Sequence, residues 1–249
     1  MFAIYKKELR SYFTNAIGYV YVGVFLSAAA LLCGYTTLMS GTYDTSSYFT
    51  LMLFTFIILI PLLTMRLFSE EKKLRTEQLL LTAPVSITGM VLGKYFAALT
   101  MFCGTLLVSC INFFPLYVYK RMDSSVTTNA SAIPLGPAGA KIIGCLIGIT
   151  LIGAAFIAIG VFISSLTENQ LAAAVITVAV IVVMLLLEVV NNVISVYAIR
   201  AVIDWVCVLS RFTNFSYGIL DFSAIVYYLS LTGVFLLLTN RVYEKRRWG

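Results

Sequence analysis

The residues able to do chemistry in this chain are few, and their types exclude more than they allow. There is no histidine among the 249 residues, which removes a Ser-His-Asp triad, an HExxH zinc site and an imidazole proton relay. Cys33, Cys103, Cys110, Cys145 and Cys207 show no CxxC spacing. Four of them lie inside apolar runs, where a cysteine behaves as a small buried hydrophobe. Gly89-Met90-Val91-Leu92-Gly93-Lys94-Tyr95 has the look of a phosphate-binding loop. That motif needs four residues between its glycines and a Ser or Thr after the lysine, and this stretch has three and Tyr95. The chain is therefore read as non-catalytic, with no cofactor or metal of its own.

Two carboxylates remain as candidates for a pathway, Glu188 near the end of one apolar run and Asp221 at the start of another. An ionisable group inside a membrane segment is a functional candidate by default, although both lie close enough to an interface to be solvated. The densest charge is the segment 69–86, which opens Ser69-Glu70-Glu71-Lys72-Lys73 and closes Ala83-Pro84-Val85-Ser86. Ser69 can cap a helix whose first turn carries Glu70 and Glu71 against the positive end of its dipole. Pro84 ends that helix near Ala83. Leu74, Gln78 and Leu81 then share one face, which suits docking into a groove of a soluble partner. The bland alternative is a solvated loop.

What must position these groups follows from composition. Hydrophobic residues make up 61% of the chain and charged ones 11%, against about 25% charged in a soluble domain; mean hydropathy is +0.97. A soluble fold of this size buries about 75% of its unfolded surface and cannot hide so much apolar area. The fold class is therefore an all-α polytopic membrane protein. Six apolar runs meet the roughly 20-residue requirement of a spanning helix: about 17–40, 48–68, 87–119, 140–165, 171–190 and 222–240. The third is overlong and invites a kink near Pro115. Paired GxxxG spacings, Gly89/Gly93 and Gly144/Gly148, offer places where helices could approach closely.

Twelve of the 17 Lys and Arg residues fall on one side of this arrangement and five on the other. The positive-inside rule then puts both termini in the cytoplasm. Because the basic residues flank apolar spans, the net charge of +6 signals topology rather than nucleic acid. The first apolar run is too long for a signal-peptide core and is read as an uncleaved span. Ahead of it, residues 2–16 repeat Phe2, Tyr5, Leu9, Tyr12 and Ala16 at helical intervals, with Lys7, Arg10 and Thr14 on another face. This predicts an amphipathic helix in the headgroup plane, its aromatics in the acyl boundary and its bases near anionic lipid. The stretch 191–221 is too apolar for a free loop and too interrupted by Arg200, Asp204 and Arg211 for a span. It is read as short external helices before the sixth span.

These pieces together resemble the membrane subunit of ABC-2 type ABC transporters, in particular the GldF-like permease branch. Ile4-Tyr5-Lys6-Lys7-Glu8-Leu9-Arg10-Ser11-Tyr12-Phe13 with Ile17-Gly18-Tyr19-Val20 is similar to that branch's N-terminal signature. Glu70-Glu71-Lys72, then Thr76-Glu77-Gln78-Leu79-Leu80-Leu81-Thr82-Ala83-Pro84-Val85-Ser86 and Gly93-Lys94, resemble its coupling segment, and Gly218-Ile219-Leu220-Asp221 leading to Tyr227-Tyr228-Leu229 its sixth-span entry. Relatives commonly carry glycine where this chain has Arg75, and an acidic residue at Gln78.

The resemblance implies an elbow helix, a cytoplasmic coupling helix over 70–82, and a half-transporter in the cell (inner) membrane. Its partners would be a second permease chain, same or different, and ABC ATPase subunits that hold ATP and Mg²⁺. Glu70, Glu71, Leu74, Glu77 and Leu81 would make the ATPase contact, with Glu77 pairing a basic partner group. Two rival readings are an ion-gradient secondary transporter, which would show inverted repeats, and a non-transporting scaffold.

Overall fold

The computed structural model describes residues 1–39, 45–78, 86–123, 139–193 and 207–248. All regular elements among them are helical: α1 (Phe2–Thr14), α2 (Ala16–Cys33), α3 (Ser46–Thr64), α4 (Ser69–Lys73), α5 (Ile87–Ser109), α6 (Phe114–Asp123), α7 (Gly139–Leu166), α8 (Gln170–Val193), α9 (Leu209–Ser216) and α10 (Phe222–Trp248). Among the described residues, six helical stretches are long and apolar enough to cross a membrane: Ala16–Thr37, Ser46–Lys73, Ile87–Val118, Gly139–Leu166, Gln170–Glu188 and Phe222–Arg247. The chain is an all-α, multi-pass membrane protein. Helix α1 reaches Lys94 through Glu8, and the end of α10 reaches Glu77 through Arg246, so both termini lie on one face of the bundle.

The overlong third span breaks where its sequence requires. Pro115 has no N–H to donate to the carbonyl four residues back. The chain tightens ahead of it into a 3₁₀ turn, Cys110–Phe113, and the Ile111 carbonyl takes the Phe114 N–H instead. The first span departs from α geometry in the opposite sense, widening into a π turn at Gly34–Leu38.

At the centre stands α7, the most buried of the six spans. Lipid gives little driving force for helix association, so packing rests on close van der Waals approach at small residues. Both GxxxG pairs make such approaches. A Cβ at Gly148 would lie 3.0 Å from the rings of Phe212 and Phe215, and one at Gly144 would lie 3.1 Å from the Phe215 carbonyl oxygen. Helix α9 therefore seats against the first turns of α7, at the depth of its Gly144–Gly148 stripe. A short helix, as expected in 191–221, it lies on the face opposite the termini; positions 194–206 lie outside the described residues. Farther along α7, Gly153 meets the Phe102 ring of α5 and Gly160 meets Thr64 of α3.

The pair Gly89/Gly93 receives α1. A Cβ at Gly93 would stand 3.1 Å from the Met1 carbonyl oxygen and 3.4 Å from Ile4. Helix α1 does not turn its whole apolar set toward lipid, as the sequence suggested. Tyr12 is buried, and its hydroxyl donates to the Leu63 carbonyl at 2.9 Å. Ile4 and Leu9 pack on the core, whereas Phe2 and Phe13 stay exposed. The reason is the glycine bed on α5, which draws one side of α1 onto protein. Beside Tyr12, burial first and the Glu8 carboxylate second push the phenol's pKa up, so it stays a neutral donor.

If the Gly144/Gly148 stripe seats α9, Gly148→Leu overpacks it at a cost of about 1–3 kcal/mol. Thermal unfolding in detergent should register this loss. Gly23→Leu, whose Cβ meets nothing within 4 Å, should leave the midpoint unchanged.

Candidate functional site

On the face that carries the termini, four parts of the chain converge on one lysine. Lys94 sits two turns into α5 with its side chain 1% exposed. An ammonium in such surroundings must be matched by opposite charge and by hydrogen bonds. Its Nζ lies 2.8 Å from Glu71 Oε2 and 3.1 Å from Glu8 Oε1. It also donates to the Leu67 carbonyl and stands 4.9 Å from the centre of the Phe68 ring. Lys7 reaches Glu71 Oε1 at 3.4 Å from the solvent side. Helix α1, the end of the second span and α5 are thus tied at one point.

The segment after the second span bends at Leu74–Thr76 and is helical again at Glu77–Gln78, where the sequence suggested one continuous helix. Helix α4 covers only Ser69–Lys73, and a turn follows in which the Arg75 N–H bonds the Lys72 carbonyl. Arg75 has φ 55°, a left-handed conformation that costs a side-chain-bearing residue and suits glycine. The continuous helix expected over 70–82 is interrupted at Arg75. Leu81 itself is outside the described residues. Leu74 is 64% exposed and stays available for contact.

Ser69 does not cap the helix; its hydroxyl donates back to the Met65 carbonyl. Ser164 of α7 serves instead. Its Oγ accepts from the backbone N–H of Phe68 (3.1 Å) and Ser69 (3.3 Å) and donates to the Met65 carbonyl at 3.2 Å. One residue on, the Ser165 carbonyl accepts from Lys72. The end of α7 therefore holds the start of α4 in register.

The acidic residues of this segment are engaged within the chain. Glu70 pairs with Arg66 at 2.8 Å, Glu71 with Lys94 and Lys7, and Glu77 with Arg246 near the end of α10 at 3.0 Å. Glu77, read from sequence as the partner of a basic group elsewhere, has found one at the far end of its own chain. Tyr243, one turn before Arg246, packs against Phe68 with ring centres 4.9 Å apart and the planes tilted by 35°. The last span is thereby joined to the same cluster.

The two candidate pathway carboxylates have local partners. Cys207 donates its thiol to Glu188 Oε2 at 3.4 Å, and burial above all pushes that thiol's pKa up. Asp221 is at the surface and caps α10, its Oδ1 accepting the Ser223 N–H at 2.9 Å. The Asn214 amide donates to its other oxygen at 3.0 Å and, first among several hydrogen bonds, holds the carboxyl below its ordinary pKa.

Lys94, Glu8, Ser164 and Arg246 escaped the sequence reading as site residues. Only Lys94 carried a readable signal, as the single charge inside a 23-residue helix. The resemblance placed it with Gly93 at the end of the coupling segment, without a role of its own. Among the described residues there is no group of three or more His, Cys, Asp or Glu side chains placed to hold a metal. The chain matches neither a known protein family model nor a curated protein.

Lys94→Met should lower stability by about 3–5 kcal/mol, because it leaves two largely buried carboxylates facing each other with only the exposed Lys7 beside them. Adding Glu8→Gln and Glu71→Gln should recover much of the loss. Breaking the exposed Arg241–Glu244 pair with Arg241→Ala should cost less than about 1 kcal/mol. Thermal unfolding midpoints of the purified variants would separate these outcomes.

Proposed function

We propose that the chain is the permease subunit of an ATP-driven ABC transporter of the ABC-2 type, working as an exporter. It would pair with a second permease chain and with ABC ATPase subunits that bind ATP and Mg²⁺. On this reading it is a half-transporter in the cell membrane with both termini in the cytoplasm. Chemistry belongs to the ATPases, and this chain converts their movement into a change of helix tilt.

The observation that carries the reading is the Lys94 cluster. A push on the exposed turn around Leu74 reaches α1 and α5 through Glu71, Lys94 and Glu8. It reaches α10 through Glu77 and Arg246, and α7 through Ser164 and Ser165. A short charged element locked to three spans and to α1 transmits displacement, whereas a free loop would absorb it. Arg75 adds support. Its left-handed backbone is the conformation for which glycine is the natural residue, and glycine is what the resembled permeases commonly carry there.

Since Glu77 is engaged inside the chain, the external contact rests on Leu74 and Leu81. Truncating an interface leucine at a well-packed centre costs about 2 kcal/mol or more, or roughly 30-fold in affinity. Leu74→Ala combined with Leu81→Ala should therefore strip ABC ATPase subunits from the chain when it is purified from its native membrane, with the unfolding midpoint unchanged. Glu77→Lys should impair stimulation of ATP hydrolysis, and Glu77→Lys with Arg246→Glu should restore it. Mass spectrometry of the purified complex and ATPase assays read both. Failure of any ABC ATPase to co-purify with the wild-type chain, or normal association of the leucine variant, would overturn the proposal.

A further inference from the structure

On the face opposite the termini, the two spans with irregular backbones lie side by side. The π turn Gly34–Leu38 of the first span and the 3₁₀ turn Cys110–Phe113 of the third leave a cleft of about 290 Å³ between them. Ala30, Cys33 and Gly34 form one wall; Asn112, Pro115 and Leu116 form the other. The Cys33 thiol donates weakly to the Asn112 carbonyl across the floor at 3.5 Å. The cleft is therefore closed at its base and open at its side.

The mouth identifies what fills it. Ala30 of the first span and Ile111 and Phe114 of the third line the opening and are exposed, the last two at 69% and 70%. They belong to the apolar outer surface of two membrane-spanning stretches, so the cleft is continuous with the lipid-facing surface of the protein. None of the residues lining the cleft is charged. Asn112 stands 18 positions beyond Lys94, about 27 Å at 1.5 Å per residue. This is close to the hydrocarbon thickness of about 30 Å, so with Lys94 at one interface the carboxamide lies near the other, where acyl chains join their headgroups. That amide has no protein hydrogen-bond partner among the described residues.

We propose that this cleft binds one acyl chain of a membrane lipid from the leaflet opposite the termini, with the lipid's ester carbonyl accepting a hydrogen bond from the Asn112 amide. The chain segment fills the space that the π and 3₁₀ turns open, and the amide supplies the one polar contact a lipid offers at that depth. This inference does not depend on the transporter reading.

The test uses the full chain in nanodiscs of phosphatidylcholine carrying a photoactivatable diazirine in one acyl chain. Labelling, mapped by mass spectrometry, should concentrate on residues 30–34 and 111–116 and exceed that at Val183, an exposed position of α8, several-fold. Gly34→Leu should cut labelling in the cleft about ten-fold while leaving Val183 unchanged. A Cβ at Gly34 meets nothing within 4 Å, so the backbone tolerates the change, and Ala30→Leu is an independent filler. Asn112→Leu should lower the fraction of detergent-purified protein that retains a lipid in native mass spectra. Cleft labelling equal to that at Val183, or insensitive to both fillers, would overturn the proposal. So would efficient disulfide crosslinking of Ile111→Cys between two copies of the chain, which would give the mouth to protein instead of lipid.

Discussion

An ammonium group enclosed in protein at the end of a membrane span sets the terms for everything around it. Water cannot solvate Lys94, so its charge must be met by carboxylates brought from elsewhere in the chain. Glu8 arrives on α1 and Glu71 on α4, from opposite sides in sequence. For Glu8 to reach, α1 must lie directly on α5, which is possible only because Gly89 and Gly93 leave its backbone room. The glycine pair, the amphipathic helix and the charged turn are consequences of one electrostatic demand. Much of the attraction is offset by desolvation, and the cluster's contribution is register: it fixes which side of α1 faces protein.

A second constraint operates across the membrane interior. Helix α7 has almost no preferred face, being apolar on every side and mostly buried, as expected of a helix enclosed by others. Its glycines decide which neighbour approaches where. Phe212 and Phe215 of α9 sit over Gly144 and Gly148, Phe102 over Gly153, and Thr64 over Gly160. One helix thus positions a short helix at one end and, through Ser164 and Ser165, the charged turn at the other.

The sequence carried the fold well and the site poorly, for different physical reasons. Spanning length and apolar content are local properties, and the six runs read from them coincide with the observed helices to within a few residues at most ends. The Pro115 break and the glycine pairs were also local and visible. The partners of Glu71 and Glu77 were not, because Lys94 and Arg246 lie 23 and 169 positions away and charge pairing at that separation leaves no periodic trace. The length of α4 was misjudged for a local reason. Charge pattern and Pro84 favoured a long helix, but the turn through Arg75 sits where serine and backbone contacts from α7 already anchor the chain.

The Glu8–Lys94 contact also bears on the order of assembly. Its partners are 86 positions apart, and synthesis proceeds at about 5–20 residues per second. Glu8 therefore emerges roughly 4–17 seconds before the lysine that will hold it. During that interval α1 has neither its cation nor its glycine bed, and its exposed Phe2 and Phe13 give it a membrane surface on which to wait. When the third span enters, Lys94 meets Glu71, already made on α4, and the waiting helix adds Glu8. The lysine is then the point at which the first hundred residues close on themselves.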